Sequence, residues 1–501
     1  MKRRKIIVIG AGFGGLSAAA YLAKAGHEVT VIEKNTWPGG RAQVVEFEGY
    51  RFDMGPSWYW MPAEHDRWFS DLGFDRNDYY GLTRVDPSYT VFYGTGEAKD
   101  PRRRIDVPAD YRKACAVFEK IEPGAGERLK SYIEDCGRKY RFAMDNYIYT
   151  NYRSPFDFLN LTSLKNLSTL NVFSSYRGMI RRYIQNPDLR KILEFPVVFL
   201  GSMARKTPAM YTLMNYIDFI LGTWYPDGGF SGVAAAMKKV CDSLGVKFRF
   251  STEAAGFVSE GREIGAVRLR EGGAEKRLPC DFVLANADYA HVELDLMGKA
   301  ERAAAVRSWN RKSLAPSVLN FFVALDRKLE GLAHHTFFFD SDWDTHFDAV
   351  YGKPRWIERP LFYIHVPSVT DPHVAPEGGE ALYILIPAAP GLTASPDLRE
   401  SFLRHTIARM EEHTGIDIAG HIVDSRSYSL GEFQSDYHAY KGNAFGLGQT
   451  MLQTAYFRPP NRSKSMRNLY FAGHYTVPGT GTTMSTISGR VAAMRIAEDA
   501  G

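Results

Sequence analysis

The 501 residues carry a net charge of +5, with 45% hydrophobic and 24% charged side chains. Such a length is too great for one simple core, so two domains or one elaborated domain are expected. So mild a charge gives no reason to expect a nucleic-acid partner, and no run approaches the roughly 20 apolar residues of a membrane-spanning helix.

The chain opens Met1-Lys-Arg-Arg-Lys5 before an apolar run, which superficially resembles a secretion signal, but glycines break the run at once. Lys5-Ile-Ile-Val-Ile9 suits a strand buried on both faces, and Gly10-Ala-Gly12-Phe13-Gly14-Gly15 leads directly into the helical run Leu16 to Ala25. A second strand, Glu28 to Ile32, ends on Glu33. In this order Gly10 allows the tight turn, Gly12 lets backbone approach a pyrophosphate, and Gly15 lets the helix lie on the sheet. Phe13 and Gly14 belong to the turn that leads into that helix, whose free N–H groups favour the phosphates. The Glu33 carboxylate is placed to accept both hydroxyls of an adenosine ribose and would repel a 2′-phosphate, so NADP is not expected. These residues alone leave NAD and FAD open.

Lys34-Asn-Thr-Trp-Pro-Gly39-Gly40-Arg41 reads either as a surface turn or as a wrap around ribose and diphosphate, with Arg41 supplying charge and planar donors. Gln43 to Phe52 predicts a hairpin leading to Asp53-Met-Gly55-Pro-Ser57, where Gly55 lets backbone approach a flat ring.

With these stretches in hand a resemblance becomes specific. The glycine turn from Gly10 to Gly15, Pro38-Gly-Gly-Arg41 and Phe52-Asp-Met-Gly-Pro56 resemble the flavoprotein superfamily of amine oxidases, GDP dissociation inhibitors and carotenoid desaturases. The resemblance implies FAD as cofactor.

Ser88 to Pro108 predicts a β-hairpin, and from about Ala109 to Ile220 the periodicity turns helical. Between Gly137 and Lys191 ten Lys or Arg face three acids, interleaved with Tyr147, Tyr149, Tyr152, Phe156, Phe158, Phe173, Tyr176 and Tyr183. That mixture suits a surface lying on anionic lipid, or a helical cap whose aromatics are core. Trp224-Tyr-Pro-Asp-Gly-Gly229 precedes a helix with Ser231 as its N-cap, and strands are predicted at Val246–Phe250, Ile264–Arg270, Lys276–Leu278 and Asp281–Asp288. Further strands are expected at Ser317–Leu325, Phe337–Phe339, Leu361–Val366 and Ala381–Pro387, and a helix from Arg399 to His413. Four scattered cysteines, Cys115, Cys136, Cys241 and Cys280, form no C-x-x-C, so neither a zinc site nor a disulfide framework is expected, in keeping with a reducing cytoplasm.

Asn468 to Ala472 is a strand, followed by Gly473-His-Tyr-Thr-Val-Pro-Gly-Thr-Gly481-Thr-Thr-Met484 entering a helix. Gly473, Gly481 and Met484 thus sit where N–H donors reach the flavin end of FAD.

The fold class is therefore α/β: a discontinuous Rossmann-type FAD-binding domain (1–85, 221–310 and 446–501) with a second, α+β substrate domain (86–220 and 311–445) carrying a helical, membrane-facing region. Leu332-Ala-His-His-Thr336, Val369 to Gly378, Ala439 to Phe445 and Gln453 to Pro460 look more like bacterial carotenoid desaturases of the phytoene desaturase type than like amine oxidases. That resemblance implies an FAD-dependent enzyme removing a hydride and a neighbouring proton from phytoene or another carotenoid. Alternatives are a 3,4-desaturase, isomerase, saturase or oxygenase of the same fold, or a non-catalytic prenyl-lipid binder. No second nucleotide motif appears, so membrane quinone or oxygen is the expected electron acceptor. The enzyme is expected in the cytoplasm, peripherally attached to the membrane that holds its substrate. No residue announces itself as the base; His334, His335, Asp371, Glu377, Asp436 and His438 are candidates.

Overall fold

A computed structural model describes residues 2–94, 103–154, 157, 171 and 174–501. Most of the loop expected between Tyr93 and Arg104, at 95–102, and the aromatics Phe156, Phe158 and Phe173 lie outside the described residues.

The buried run Lys5–Ile9 becomes the centre of a five-stranded, all-parallel sheet. Glu28–Ile32 and then Lys247–Arg249 lie on one side of it, Phe282–Ala285 and then Leu469–Phe471 on the other. Strands remote in sequence thus share one sheet, and its core brings together Val8, Leu16, Val31, Val240 and Leu284 with Ile496 near the far end of the chain. A three-stranded antiparallel sheet, Thr252–Glu260, Glu263–Glu271 and Ala274–Pro279, is appended to it.

Ser317–Leu325, nine buried residues in succession, pairs with Glu380–Ala388 in unbroken antiparallel register. Those two strands belong to a seven-stranded sheet that continues through Phe362–His365 and His335–Phe338 to the hairpin Tyr89–Phe92 and Arg104–Val107. Helices Tyr111–Ile121, Ala125–Ala143, Tyr176–Tyr183 and Pro187–Glu194 share a core with this sheet. No helix among the described residues is long and apolar enough to cross a membrane.

Two expectations need correction. The helix Gly229–Ser243 is not capped by Ser231: its N-cap is Gly228, and the Asp53 carboxylate, brought in from the hairpin, accepts the N–H groups of Phe230 (2.9 Å) and Ser231 (3.3 Å). Burial pushes the Asp53 carboxyl up to about 6. The strand Thr252–Glu260 was not predicted. Its burial alternates from Thr252 to Phe257, but the central Ala254-Ala-Gly256 run carries little strand propensity, and register shifts fall at Ala254/Gly256 and Val258/Ser259.

Candidate active site

One continuous cavity runs between the parallel sheet and the seven-stranded sheet, and Gly10, Gly12, Phe13, Gly14, Glu33, Lys34, Gly40, Arg41, Gly55, Gly473, Gly481 and Met484 all line it. Glu33 and the Gly481 loop, from opposite ends of the chain, open into the same space. Gly15 alone of the predicted set does not line it. A Cβ there would stand 2.0 Å from the Gly10 carbonyl, so Gly15 holds the turn against its helix from behind.

The helix Phe13–Lys24 begins at Gly12 with no side-chain cap and no acid in its first turn. The C-terminal helix Thr482–Asp499 begins in the same way, at Gly481 with φ of 106°. Elsewhere Asp110, Asn186, Asp342 and Ser395 cap their helices with side-chain oxygens. Both of these glycine N-termini face the cavity and offer N–H groups to an anion. Glu33 is buried; its Oε2 accepts the Ala11 N–H at 2.7 Å and its Oε1 the Asn35 N–H at 2.8 Å. A carboxylate has about four acceptor positions, so two remain for the hydroxyls of a ribose. Burial raises the Glu33 carboxyl, opposed by those two N–H donors. These features fit FAD.

Lys34 donates its ammonium to the Ser435 carbonyl. Arg41 donates to the Ala444 carbonyl at 2.7 Å and lies 2.9 Å from His474 Nε2. His474 is held well below the usual imidazole range by burial and by the Arg41 and Arg458 charges, which keeps it neutral beside the guanidinium. Asn286, which sequence reasoning did not single out, is the hub of the glycine loops. A Cβ on Gly14 would come within 2.4 Å of its side-chain oxygen, one on Gly12 within 2.7 Å of its nitrogen, and one on Gly473 within 3.0 Å of its oxygen. Its place after a buried strand, in Asn286-Ala-Asp288, was the available signal.

Beyond Gly55 the walls become apolar. Trp58 starts a ladder of rings that passes through Phe337 (5.7 Å), Phe339 (5.3 Å), Trp343 (4.9 Å) and Phe347 (4.8 Å), each distance measured from the ring before. All five rings line the cavity, with Val318, Leu361 and Leu385. Its acidic lining is confined to Glu33, Glu253, Asp288 and Asp436, none of them on the ladder.

The six candidate bases divide accordingly. His334, His335, Asp371 and Glu377 are not among the lining residues. Asp371 accepts the Tyr225 hydroxyl, and Glu377 is exposed. Asp436 and His438 do line it, at the Glu33 end: the Asp436 carbonyl accepts from Asn35, and His438 lies 2.7 Å from Glu253. None of the six stands on the apolar half.

Residues 13–497 match the family described as flavin containing amine oxidoreductase. Solved structures with the same fold include an oxidoreductase from Methanosarcina mazei (TM-score 0.63, 16% identity, covering 99% of this chain and 100% of that one) and putrescine oxidase bound to putrescine (TM-score 0.61, 14% identity, 100% and 99%). The fold and cleft are those of an FAD-dependent oxidoreductase. Among relatives of known activity, a carotenoid 3,4-desaturase of Haloarcula japonica is 38% identical over 495 residues (99% of this chain, 98% of that protein), and a 4,4'-diapophytoene desaturase of Staphylococcus aureus is 30% identical over 508 residues (99% of each). The chain belongs to this flavin-containing family and, within it, to the carotenoid desaturases.

Proposed function

We propose that this enzyme desaturates a long linear carotenoid drawn from a membrane, with the polyene lying along the ring ladder from Trp58 to Phe347. The observation that carries the reading is the continuity of the glycine cradle with an apolar half that has no carboxylate on its walls. Likeness to the Haloarcula japonica protein favours desaturation at the 3,4 position, and phytoene desaturation is the second reading, favoured by the diapophytoene desaturases.

Gly10, Gly12, Phe13 and Gly14 would hold the diphosphate of FAD, Glu33 its ribose, Lys34, Gly40 and Arg41 the wrap around it, and Gly55, Gly473, Gly481 and Met484 its flavin end. FAD supplies a hydride acceptor. The chain's own residues align the polyene, exclude water and present ring faces to the allylic positive charge that hydride loss creates. No carboxylate stands beside that charge to collapse onto it. The division into 1–85, 221–310 and 446–501 around the cofactor, and 86–220 and 311–445 around the substrate, follows the same reading.

A forty-carbon hydrocarbon costs on the order of 30 kcal/mol to hold in water at about 0.8 kcal/mol per carbon, so supply from a bilayer surface is required. In the segment 137–191 Tyr147 and Tyr176 are buried, and Arg138, Arg141, Arg153, Arg181 and Arg182 are exposed. Arg138 and Arg153 already pair with Asp135 and Glu498, so Arg141, Arg181 and Arg182 are the arginines that suit anionic headgroups. The apolar contribution comes from Leu452 (79% exposed) and Phe457 (50%), on a loop that Tyr211, a cavity-lining residue, grips through Thr454. Membrane quinone or oxygen would take the electrons from the bound cofactor.

The test is expression in cells that accumulate phytoene and in cells that accumulate lycopene, with products separated by chromatography. A red-shifted polyene in the lycopene strain supports 3,4-desaturation, one in the phytoene strain supports the second reading, and unchanged pigment in both refutes desaturation.

A further inference from the structure

Directly behind Trp58, three histidines converge. We infer that His334, His335 and His365 bind a transition-metal ion of the imidazole-preferring kind, zinc(II) or copper(I), outside the flavin cleft. His335 and His365 are register partners on neighbouring antiparallel strands, so their side chains share one face of the sheet. His334 joins them from the residue before. One ring nitrogen of each lies within 4.8 Å of the other two, and His334 Nε2 is 3.0 Å from His365 Nε2, close to the separation of two nitrogens on one tetrahedral ion.

Hydrogen-bond accounting points the same way. His334 Nδ1 is 2.7 Å from the Thr370 hydroxyl and His335 Nδ1 is 2.6 Å from the Tyr363 hydroxyl, which fixes the outward nitrogens as metal-bound imidazoles are fixed by their outer partners. The inward nitrogens are less well served. One N–H between His334 and His365 satisfies that pair, and His335 Nε2 has no partner although His335 is fully buried. A cation gives all three inward lone pairs a ligand at once. Burial keeps the imidazoles neutral and therefore able to coordinate.

The donor set has no carboxylate, which disfavours magnesium and calcium and suits an ion that accepts neutral nitrogen. Trp58 stacks on His335 at 4.2 Å with the rings 12° from parallel, and Tyr225 packs edge-on against His334 at 5.1 Å. The ion's role is therefore to pin the strands His335–Phe338 and Phe362–His365 and hold Trp58 in the cavity wall, rather than to meet substrate.

Untagged protein purified from zinc- and from copper-supplemented cells tests this by metal analysis after dialysis against a weak chelator. About one equivalent per chain is expected, falling at least tenfold in His335→Gln and in His365→Asn, while His27→Gln, remote from the cluster, keeps it. Cobalt-grown wild-type protein needs no variant and is expected to show the ligand-field bands of a nitrogen-bound ion. Metal below a tenth of an equivalent from both media, together with an unfolding temperature that neither ion raises, overturns the inference.

Discussion

At the scale of single residues, Glu33 and Asp218 are buried carboxyls with opposite environments. Glu33 accepts backbone N–H groups with both oxygens and still faces the cavity. On the proposed role of Glu33, Glu33→Ala removes the charged acceptor of the ribose, and a charge-assisted hydrogen bond is worth about 1.5–3 kcal/mol. FAD affinity is expected to fall roughly ten- to a hundredfold, read by titrating apoprotein while following flavin fluorescence. Asp218 accepts only the Tyr89 hydroxyl, at 3.0 Å; its second oxygen has no partner, and burial pushes its carboxyl up to about 7 from 3.8. The folded chain thus holds this proton more tightly than the unfolded chain. Its contribution to stability is whole below about pH 4 and is lost as pH rises through about 7, a loss on the order of 4 kcal/mol. Urea unfolding at pH 5 and pH 8 is expected to show a drop for the wild type that is markedly smaller in Asp218→Asn, which keeps the tyrosine's acceptor without the charge.

Between elements, a close approach that shapes the cofactor end is the contact of the helices Phe13–Lys24 and Thr482–Asp499. A Cβ on Gly489 would meet the Gly14 carbonyl at 2.2 Å and Ser17 Cβ at 2.8 Å, and Ser17 donates to the Thr486 carbonyl at 2.7 Å across the same seam. Backbone cannot yield as a flexible side chain does, so Gly489→Ala must part the helices and draw Gly481 and Met484 away from Gly12. A loss of about 1–3 kcal/mol in stability is expected, with flavin released at a lower temperature than in wild type, followed by differential scanning fluorimetry on flavin emission. This seam also shows what the sequence could disclose. Strands such as Ser317–Leu325, and the first strand–turn–helix, were legible because their apolar runs and turn residues are local. That Gly489 abuts Gly14, that Asp53 caps a helix near residue 230, or that Asn286 fills the space among three glycines depends on pairings between distant segments, which no local pattern encodes. The His335–His365 pair is of the same kind: thirty residues apart, the two meet only because their strands are neighbours.

For the molecule as a whole, the two ends of the chain meet on one parallel sheet, and its middle builds the seven-stranded sheet that roofs the cavity. The polar, anion-seeking half is made by glycine turns and helix N-termini, and the apolar half by side chains from the middle of the chain, so the two halves can be altered separately. The ladder ends on the cavity lining at Phe347, which touches Trp343 on one side and Tyr351, at 6.0 Å, on the other. With both neighbours buried or half-buried, a larger ring at this position has no outward path and must project into the cavity, along the track proposed for the polyene. Phe347→Trp is therefore expected to shorten the accepted chain. Offered thirty- and forty-carbon polyenes together, the variant should turn product ratios about tenfold toward the shorter one, the scale of discrimination that one or two methylenes give in an apolar pocket. Its flavin absorbance should match wild type, because nothing in the glycine cradle touches this ring. An unchanged ratio would mean that the polyene does not run along the ladder, and loss of flavin would mean that the two halves are not independent.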